Sequence, residues 1–288
     1  MMCTTPSAPP PPPPPPLPTQ VSPSPKPISS SSDISPTSTT SDVCQWALFE
    51  TQLWEVCSRN KICLDVKPYL YKYKDFKPII QVGPTCGLVA LSMLLNGAVT
   101  SDELFNITKM EGFSNNGEMF SCNNMAKLAD KAISLAEFDN VQFHVKESGL
   151  FSEETVIDLL NGAALLVAYD ADCNHAPCER KGHTAHWALI CGIIIVSEVP
   201  EGEYTSDPNN VYVLSRHGKS KYLSAWKLDA LARSNQNLWE FSPKKKEDGM
   251  LYVLPEGGIG GYKLVSPPRS TASEKYKRIE EYKDTTAV

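Results

Sequence analysis

A cysteine at the start of the most apolar helical stretch has the setting of a nucleophile. Cys86 follows a Gly-Pro-Thr bend and opens the segment CGLVALSMLLNG. A helix N-terminus carries partial positive charge and free N–H groups, which stabilise a thiolate and lower its pKa. The same N–H groups can bind a developing oxyanion, and the Gln81 amide, five residues upstream, could be a second donor. The pattern favours acyl transfer, although a buried structural cysteine is the alternative.

A cysteine nucleophile needs a base, usually a histidine distant in sequence. Of the five histidines, His186 is the best placed because it opens the buried strand HWALICG, where a ring can face a cleft. His183 competes from the preceding loop. The other three lie mid-strand (His144), at a turn (His217) and in a polar connector (His175).

Hydrophobic periodicity supplies the elements that position these residues. Helices are predicted near 43–57, 86–97, 101–110, 124–135, 153–162 and 225–234, with Thr85 and Ser152 as caps. Strands are predicted at 141–147, 164–170, 186–197, 210–218, 239–242 and 249–255, after an extended stretch at 66–81. Helices come first and strands mostly later, which predicts an α+β fold with the Cys86 helix packed on an antiparallel sheet.

The prolines divide the chain. Of 24 prolines, 14 lie in the first 42 residues, and no aromatic residue precedes Trp46. Such a segment cannot bury enough apolar surface to offset its chain entropy. The sequence predicts a disordered Pro/Ser-rich arm (1–42), one catalytic domain (43–265) and a flexible polar tail (266–288).

Charge and cysteine content narrow the class of protein. A net charge of −6 argues against a nucleic-acid binder, and no apolar run is long enough to span a membrane. Nine cysteines are an odd number, and the chain begins without a secretory leader. We therefore expect reduced thiols and a cytoplasmic protein. Neither a cofactor nor a bound metal is expected.

Two segments carry a family resemblance. QVGPTCGLVALSMLL resembles the nucleophile helix of papain-like cysteine peptidases of the C39 type, and HWALICG resembles their histidine strand. From 46 to 261, together with the arm, the chain resembles the actin-maturation aminopeptidases, which remove the acetylated first residue (Met or Cys) from nascent actin. The resemblance implies a papain-like fold, Cys86 as nucleophile, His186 as general base and then acid, and Gln81 as oxyanion donor.

The chain departs from the papain-like pattern in two places. Gln81 precedes Cys86 by one residue fewer than usual. The strand after HWALICG reads VYVLSRHG, which offers Ser215, Arg216 and His217 but no carboxylate to orient His186. The third member of the site stays open, with three amides as candidates: Asn209, Asn210 and Asn235.

Two other functions fit parts of the chain. Thiolate and imidazole ligands in one connector suggest a zinc site, although their spacing fits zinc motifs poorly: Asp172, Cys173, His175, Cys178, His183 and His186. The missing orienting residue instead suggests a non-catalytic polyproline adaptor.

Two features outside the site suggest partners. The unbroken run Pro9–Pro16 favours an extended helix that docks into aromatic grooves, with a passive spacer as the alternative. Since profilin binds both actin and polyproline, the resemblance implies profilin as a partner. A basic cluster could steer an acidic substrate, or simply be solvated: Arg216, Lys219, Lys221 and Lys244–Lys246.

Overall fold

The computed structural model describes residues 44–62, 67–138, 141–146, 149–256, 259 and 276–281. Its helices are α1 (Thr51–Asn60), α2 (Cys86–Leu94), α3 (Ser101–Met110), α4 (Cys122–Leu135), α5 (Glu153–Leu160), α6 (Leu228–Gln236) and α7 (Pro243–Glu247), preceded by a 3₁₀ turn at Gln45–Ala47. Its strands are β1 (Leu70–Tyr73), β2 (Val141–Val145), β3 (Ala164–Ala171), β4 (Pro177–Cys178), β5 (Ala185–Ile195), β6 (Val211–His217), β7 (Ser224–Lys227) and β8 (Tyr276–Glu281). The predicted arm, 1–42, and its Pro9–Pro16 run lie outside the described residues.

These strands form one antiparallel sheet in the order β2-β8-β3-β5-β6-β7, with β1 paired to β5 and β4 to β3. The central strand β5 pairs with β3 and β6. In this register His186 lies opposite Tyr169, and Ala188 lies opposite His217. The side chains of Tyr169, His186 and His217, from three neighbouring strands, are thereby brought to one end of the sheet.

Apolar clusters cover both faces of the sheet, because side chains along β5 alternate between them. One cluster contains Trp187, Leu189 and Cys191, together with residues from α1 to α4. The other contains Ala188 and Ile190, together with residues from α5 and α6. The prediction of a mixed α and β fold, with the Cys86 helix packed on an antiparallel sheet, is confirmed.

Two predicted strands are wrong. Residues 239–242 and 249–255 form no strand, because their backbone groups bond to loops instead of a neighbouring strand. Lys181 O accepts the N–H groups of Trp239 and Glu240, while Asn115 and Asn116 donate to Leu251 O.

The segment predicted to be a flexible tail, 266–288, contains β8, which pairs with β2 and β3. This stretch is therefore not loose throughout. Backbone hydrogen bonds to strands on both sides hold a polar segment that periodicity alone reads as a tail.

Within the described ranges, every helix is too short or too polar to cross a lipid bilayer.

Candidate active site

The loop before Cys86 is tied to the end of β6. The Gln81 N–H donates to Gly218 O at 2.8 Å, and its side-chain Nε2 donates to Gly83 O at 2.8 Å. Gly83 has a φ of 69°, a conformation that favours glycine. An amide nitrogen carries two hydrogens, so the bond to Gly83 uses only one of them.

Thr85 does not cap α2 as predicted. Its Oγ1 donates to Val82 O at 2.9 Å, and the residue has φ −97° and ψ 25° rather than the extended backbone of a side-chain cap. The first N–H groups of α2 therefore have no side-chain acceptor. One of them, the N–H of Gly87, acts on the Cys86 sulfur instead.

Close approach between two segments requires glycine at 218. A Cβ there would lie 2.8 Å from Gln81 Oε1 and 2.9 Å from Gln81 Cβ. We expect Gly218→Ala to displace Gln81 and lower kcat about tenfold to a hundredfold, because a small misplacement at a reacting centre is costly. Gly149→Ala, where an added Cβ meets nothing within 4 Å, is the control. Equal kcat in the two variants would remove Gln81 from the site.

Glycine at 87 lets the start of α2 pack closely on β5. A Cβ there would lie 2.8 Å from Met125 Cε, 3.1 Å from Trp187 Cδ1 and 3.3 Å from Met119 Cβ. The Trp187 indole also donates to Met119 O at 2.8 Å. Cys86 is thus held against the peptide that follows His186.

The Cys86 thiol has a raised pKa, opposite to the sequence prediction. Burial raises it, and this outweighs the lowering by the backbone N–H of Trp187, the charge of Lys245, the N–H of Gly87 and the charge of Lys219. The helix terminus acts in the predicted direction, but it does not overcome desolvation. The resting thiol is protonated at neutral pH.

His186 is buried and uncharged at neutral pH. The residue is only 7% exposed, and Nε2 has no hydrogen-bond partner among the described residues. Burial, with smaller effects from His217, Lys219 and His175, lowers its pKa to about 3. Cys86 and His186 make no direct hydrogen bond in this structure; they meet at Trp187, whose amide acts on the sulfur.

Two more imidazoles surround His186. The ring centroid of His217 lies 5.9 Å from that of His186, and the ring of His175 lies 6.4 Å from it. His217 is the last residue of β6 and is buried, not at an exposed turn. Burial, followed by the His175 charge, lowers its pKa to about 4. Sequence reasoning missed this cluster because its members come from separate elements.

The competing histidine has another partner. His183 Nε2 lies 2.7 Å from Glu240 Oε2, on the loop before β5. His144 lies in β2, which the sheet order separates from β5 by β8 and β3.

Asp170, which sequence reasoning also missed, holds the connector that leads into β5. This fully buried carboxylate accepts the backbone N–H groups of Arg180, Gly182 and Thr184 at 2.8 to 3.0 Å. An acidic residue near the end of an apolar strand was the available signal. Asp170 thereby fixes where His186 enters the sheet.

Two of the three amides proposed to orient His186 lie far from it. Asn209 and Asn210 precede β6 at the end where Val211 pairs with Ile195, nine residues along β5 from His186. That separation is roughly 30 Å along an extended strand. Asn235 is buried in α6, and its Nδ2 donates to Ala168 O at 2.7 Å. The described residues include no carboxylate bonded to the His186 ring.

The predicted basic cluster divides into two groups. Arg216 is 1% exposed and pairs with Asp75 at 2.6 Å, so it cannot steer a substrate. By contrast, the charges of Lys219 and Lys245 both act on Cys86. Lys245 also lies over the rings of Phe120 and Tyr252, which form an aromatic cluster with Phe241.

The zinc alternative gains no support. In the part of the chain that the structure describes, no group of three or more His, Cys, Asp or Glu side chains could hold a metal ion. No disulfide joins any two of the seven described cysteines: Cys44, Cys57, Cys86, Cys122, Cys173, Cys178 and Cys191.

Comparison with known proteins places this chain in a family. Residues 76–194, which include Gln81, Cys86 and His186, match the model of the "Actin maturation protease-like, C-terminal domain" family. The actin maturation protease of Drosophila melanogaster is 41% identical over 223 residues, covering 77% of this chain and 78% of the fly protein. The human protein of the same name is 36% identical over 219 residues, covering 64% of this chain; the chain spans 61% of the human protein. The chain belongs to the actin maturation protease family.

Proposed function

We propose that this protein is a cysteine aminopeptidase that removes the acetylated first residue, Met or Cys, from nascent actin through a papain-like arrangement of Cys86, His186 and Gln81. The observation that carries the proposal is the position of Cys86, at an uncapped helix N-terminus and against the peptide that joins His186 to Trp187. The relatives' names supply the substrate.

The first half-reaction starts from a neutral pair. As the Cys86 sulfur attacks the carbonyl carbon of the acetylated residue, its proton passes to His186, which is uncharged at neutral pH. N–H groups at the start of α2 and the Gln81 amide stabilise the oxyanion. The C–N bond then breaks, His186 protonates the departing amine, and a thioester remains on Cys86.

The second half-reaction restores the enzyme. His186 takes a proton from water, the hydroxide attacks the thioester carbonyl, and the C–S bond breaks with return of the proton to sulfur. Because catalytic hydrogen bonds are often long before substrate binds, the pair needs to close only when the substrate carbonyl is in place.

An acetylated terminus carries no ammonium group, so its pocket needs apolar walls rather than a carboxylate. Aromatic rings are available beside the site. Met119 contacts the start of α2 and bonds to Trp187, and the next residue, Phe120, packs against Phe241 and Tyr252. We assign this aromatic cluster as one wall of the pocket for the acetylated side chain.

Mass spectrometry of the first actin peptide tests the function. We expect acetylated actin incubated with the protein to lose one acetylated residue, whereas actin alone keeps it. An unchanged first peptide at stoichiometric enzyme would reject the proposal and favour the polyproline adaptor.

Lysines at the site should steer the acidic start of actin. We expect Lys219→Glu and Lys245→Glu each to raise KM about three- to tenfold at low salt, and less at high salt, because screening weakens attraction between separated charges. Lys72→Glu is the control, since Lys72 pairs with Ile193, seven residues along β5 from His186. The same KM for all three at low salt would discard steering.

We also propose that the arm delivers profilin-bound actin. Deleting Pro9–Pro16 should slow processing of profilin–actin about tenfold or more and spare a short acetylated peptide, because a tether raises local substrate concentration without a new contact at the site. Steady-state rates on both substrates give the comparison. Equal loss on both would contradict delivery.

A further inference from the structure

The ring of His186 is held by other rings rather than by a carboxylate. The Tyr169 and His217 rings lie with their centroids 5.9 Å from that of His186, and their planes are turned by 77° and 74°. Edge-to-face contacts at such distances are favourable and directional. Because Nε2 of His186 has no partner among the described residues, packing must set the orientation of the ring.

The two rings that contact His186, those of His217 and Tyr169, are held in place by other groups. His217 is stacked on Trp226 with an interplanar angle of 19°, and its Nδ1 accepts the Lys219 N–H at 3.3 Å. That bond places the imidazole hydrogen on Nε2 when His217 is neutral. On the other side, Tyr169 donates its hydroxyl hydrogen to His175 O at 2.9 Å.

We propose that His217 is the positioning residue of this site, holding the His186 ring by an edge-to-face contact in the role that a carboxylate or amide would otherwise fill. The inference rests on the proposed function for its catalytic consequence, but the contact is measurable without substrate. It explains how the His186 ring can be oriented in a chain without a carboxylate at this place.

The groups around His186 favour neutral rings on both His186 and His217. The titratable groups that face it are Tyr169 from β3, His175 from the connector, His217 from β6 and Lys219 after β6. His175 is held beside them with a φ of 64°, a strained conformation for a residue with a side chain. An added positive charge on His217 would repel an imidazolium on His186.

Two substitutions separate the ring contact from the hydrogen bond. His217→Phe keeps a ring against His186 and Trp226, whereas His217→Asn keeps an acceptor for the Lys219 N–H but loses the ring. On a short acetylated peptide we expect kcat to fall about tenfold to a hundredfold in His217→Asn, with little change in KM, and to stay within about fivefold in His217→Phe. His183→Gln, which removes the imidazole bonded to Glu240, is the control and should keep full activity.

An NMR titration of the His186 ring in a Cys86→Ala background gives a readout that does not depend on turnover. With His217 present, His186 should not titrate between pH 5 and 8; in the His217→Asn protein, water enters and the pKa of His186 should rise towards 6.5. With His217→Phe burial persists, so the ring should again stay silent. A silent His186 in all three proteins, with unchanged kcat, would overturn the proposal.

Failure of the parts can be told apart. If the His217→Asn protein does not fold, NMR contacts between the ring protons of His186 and His217 can be measured in the Cys86→Ala protein. Absence of these contacts would overturn the positioning role of His217. If the wild-type protein hydrolyses no acetylated peptide while the His186 titration behaves as expected, the proposed function fails and the positioning role stands.

Discussion

Replacement of Cys86 by alanine is expected to abolish removal of the acetylated residue, with kcat reduced at least about 10³-fold. The sulfur is the group that bonds to the substrate, and no other described thiol lies at the start of α2. His186→Ala should produce a loss of similar size, because residues that act as a unit are not additive. The double variant should therefore be no slower than either single one.

Controls for this result come from the same chain. Cys173→Ala removes an exposed thiol from the connector and should keep full activity. Urea denaturation should show the Cys86→Ala protein folded and within about 1.5 kcal/mol of the wild type, since only a small group is removed. Normal turnover by the Cys86→Ala protein would end the assignment of the nucleophile.

Acid should destabilise the protein steeply between pH 6.5 and 4. In the unfolded chain, His186 and His217 bind protons below about pH 6.5. In the folded protein, burial holds their pKa values near 3 and 4, so the unfolded state binds about two more protons in this window. The free energy of unfolding therefore falls as the pH falls, by about 1.4 kcal/mol per pH unit for each histidine once it is protonated in the unfolded chain.

Urea midpoints measured from pH 7 to 5 test this dependence. The His217→Phe protein should lose about half of the histidine contribution to the slope, whatever its stability at pH 7. His183→Gln is a suitable comparison because His183 is partly exposed and outside the cluster. If the free energy of unfolding falls with pH at the same rate in the wild type and in His217→Phe, then His217 is not held neutral by the fold.

Local sequence signals were sufficient for the elements that carry Cys86 and His186. The Gly-Pro-Thr bend, the apolar run after it and the strand HWALICG all have the predicted bounds to within a few residues. Capping was predicted well where a side chain had no competing acceptor. Ser152 accepts the Thr155 N–H as predicted, but Thr85 bonds to Val82 instead.

The environment of those residues could not be predicted in the same way. The pKa of Cys86 depends on its burial and on the Trp187 N–H, which comes from a distant part of the chain. The sequence predicts a surface charge at Arg216, because nothing local indicates its partner Asp75, which is 141 residues away. The sequence predicts a turn at His217, because nothing local indicates that its ring packs between Trp226 and His186.

Mass analysis of Cys86 during turnover tests the central claim most directly. Enzyme mixed with an acetylated actin peptide and quenched in acid within the first turnover should yield a Cys86-containing fragment heavier by one acetylated residue, and this added mass should disappear in hydroxylamine, which cleaves thioesters. The same fragment from the His186→Ala protein should stay unmodified. Cleavage of the peptide without any added mass on Cys86 would contradict the account. Added mass on a different cysteine would contradict it as well.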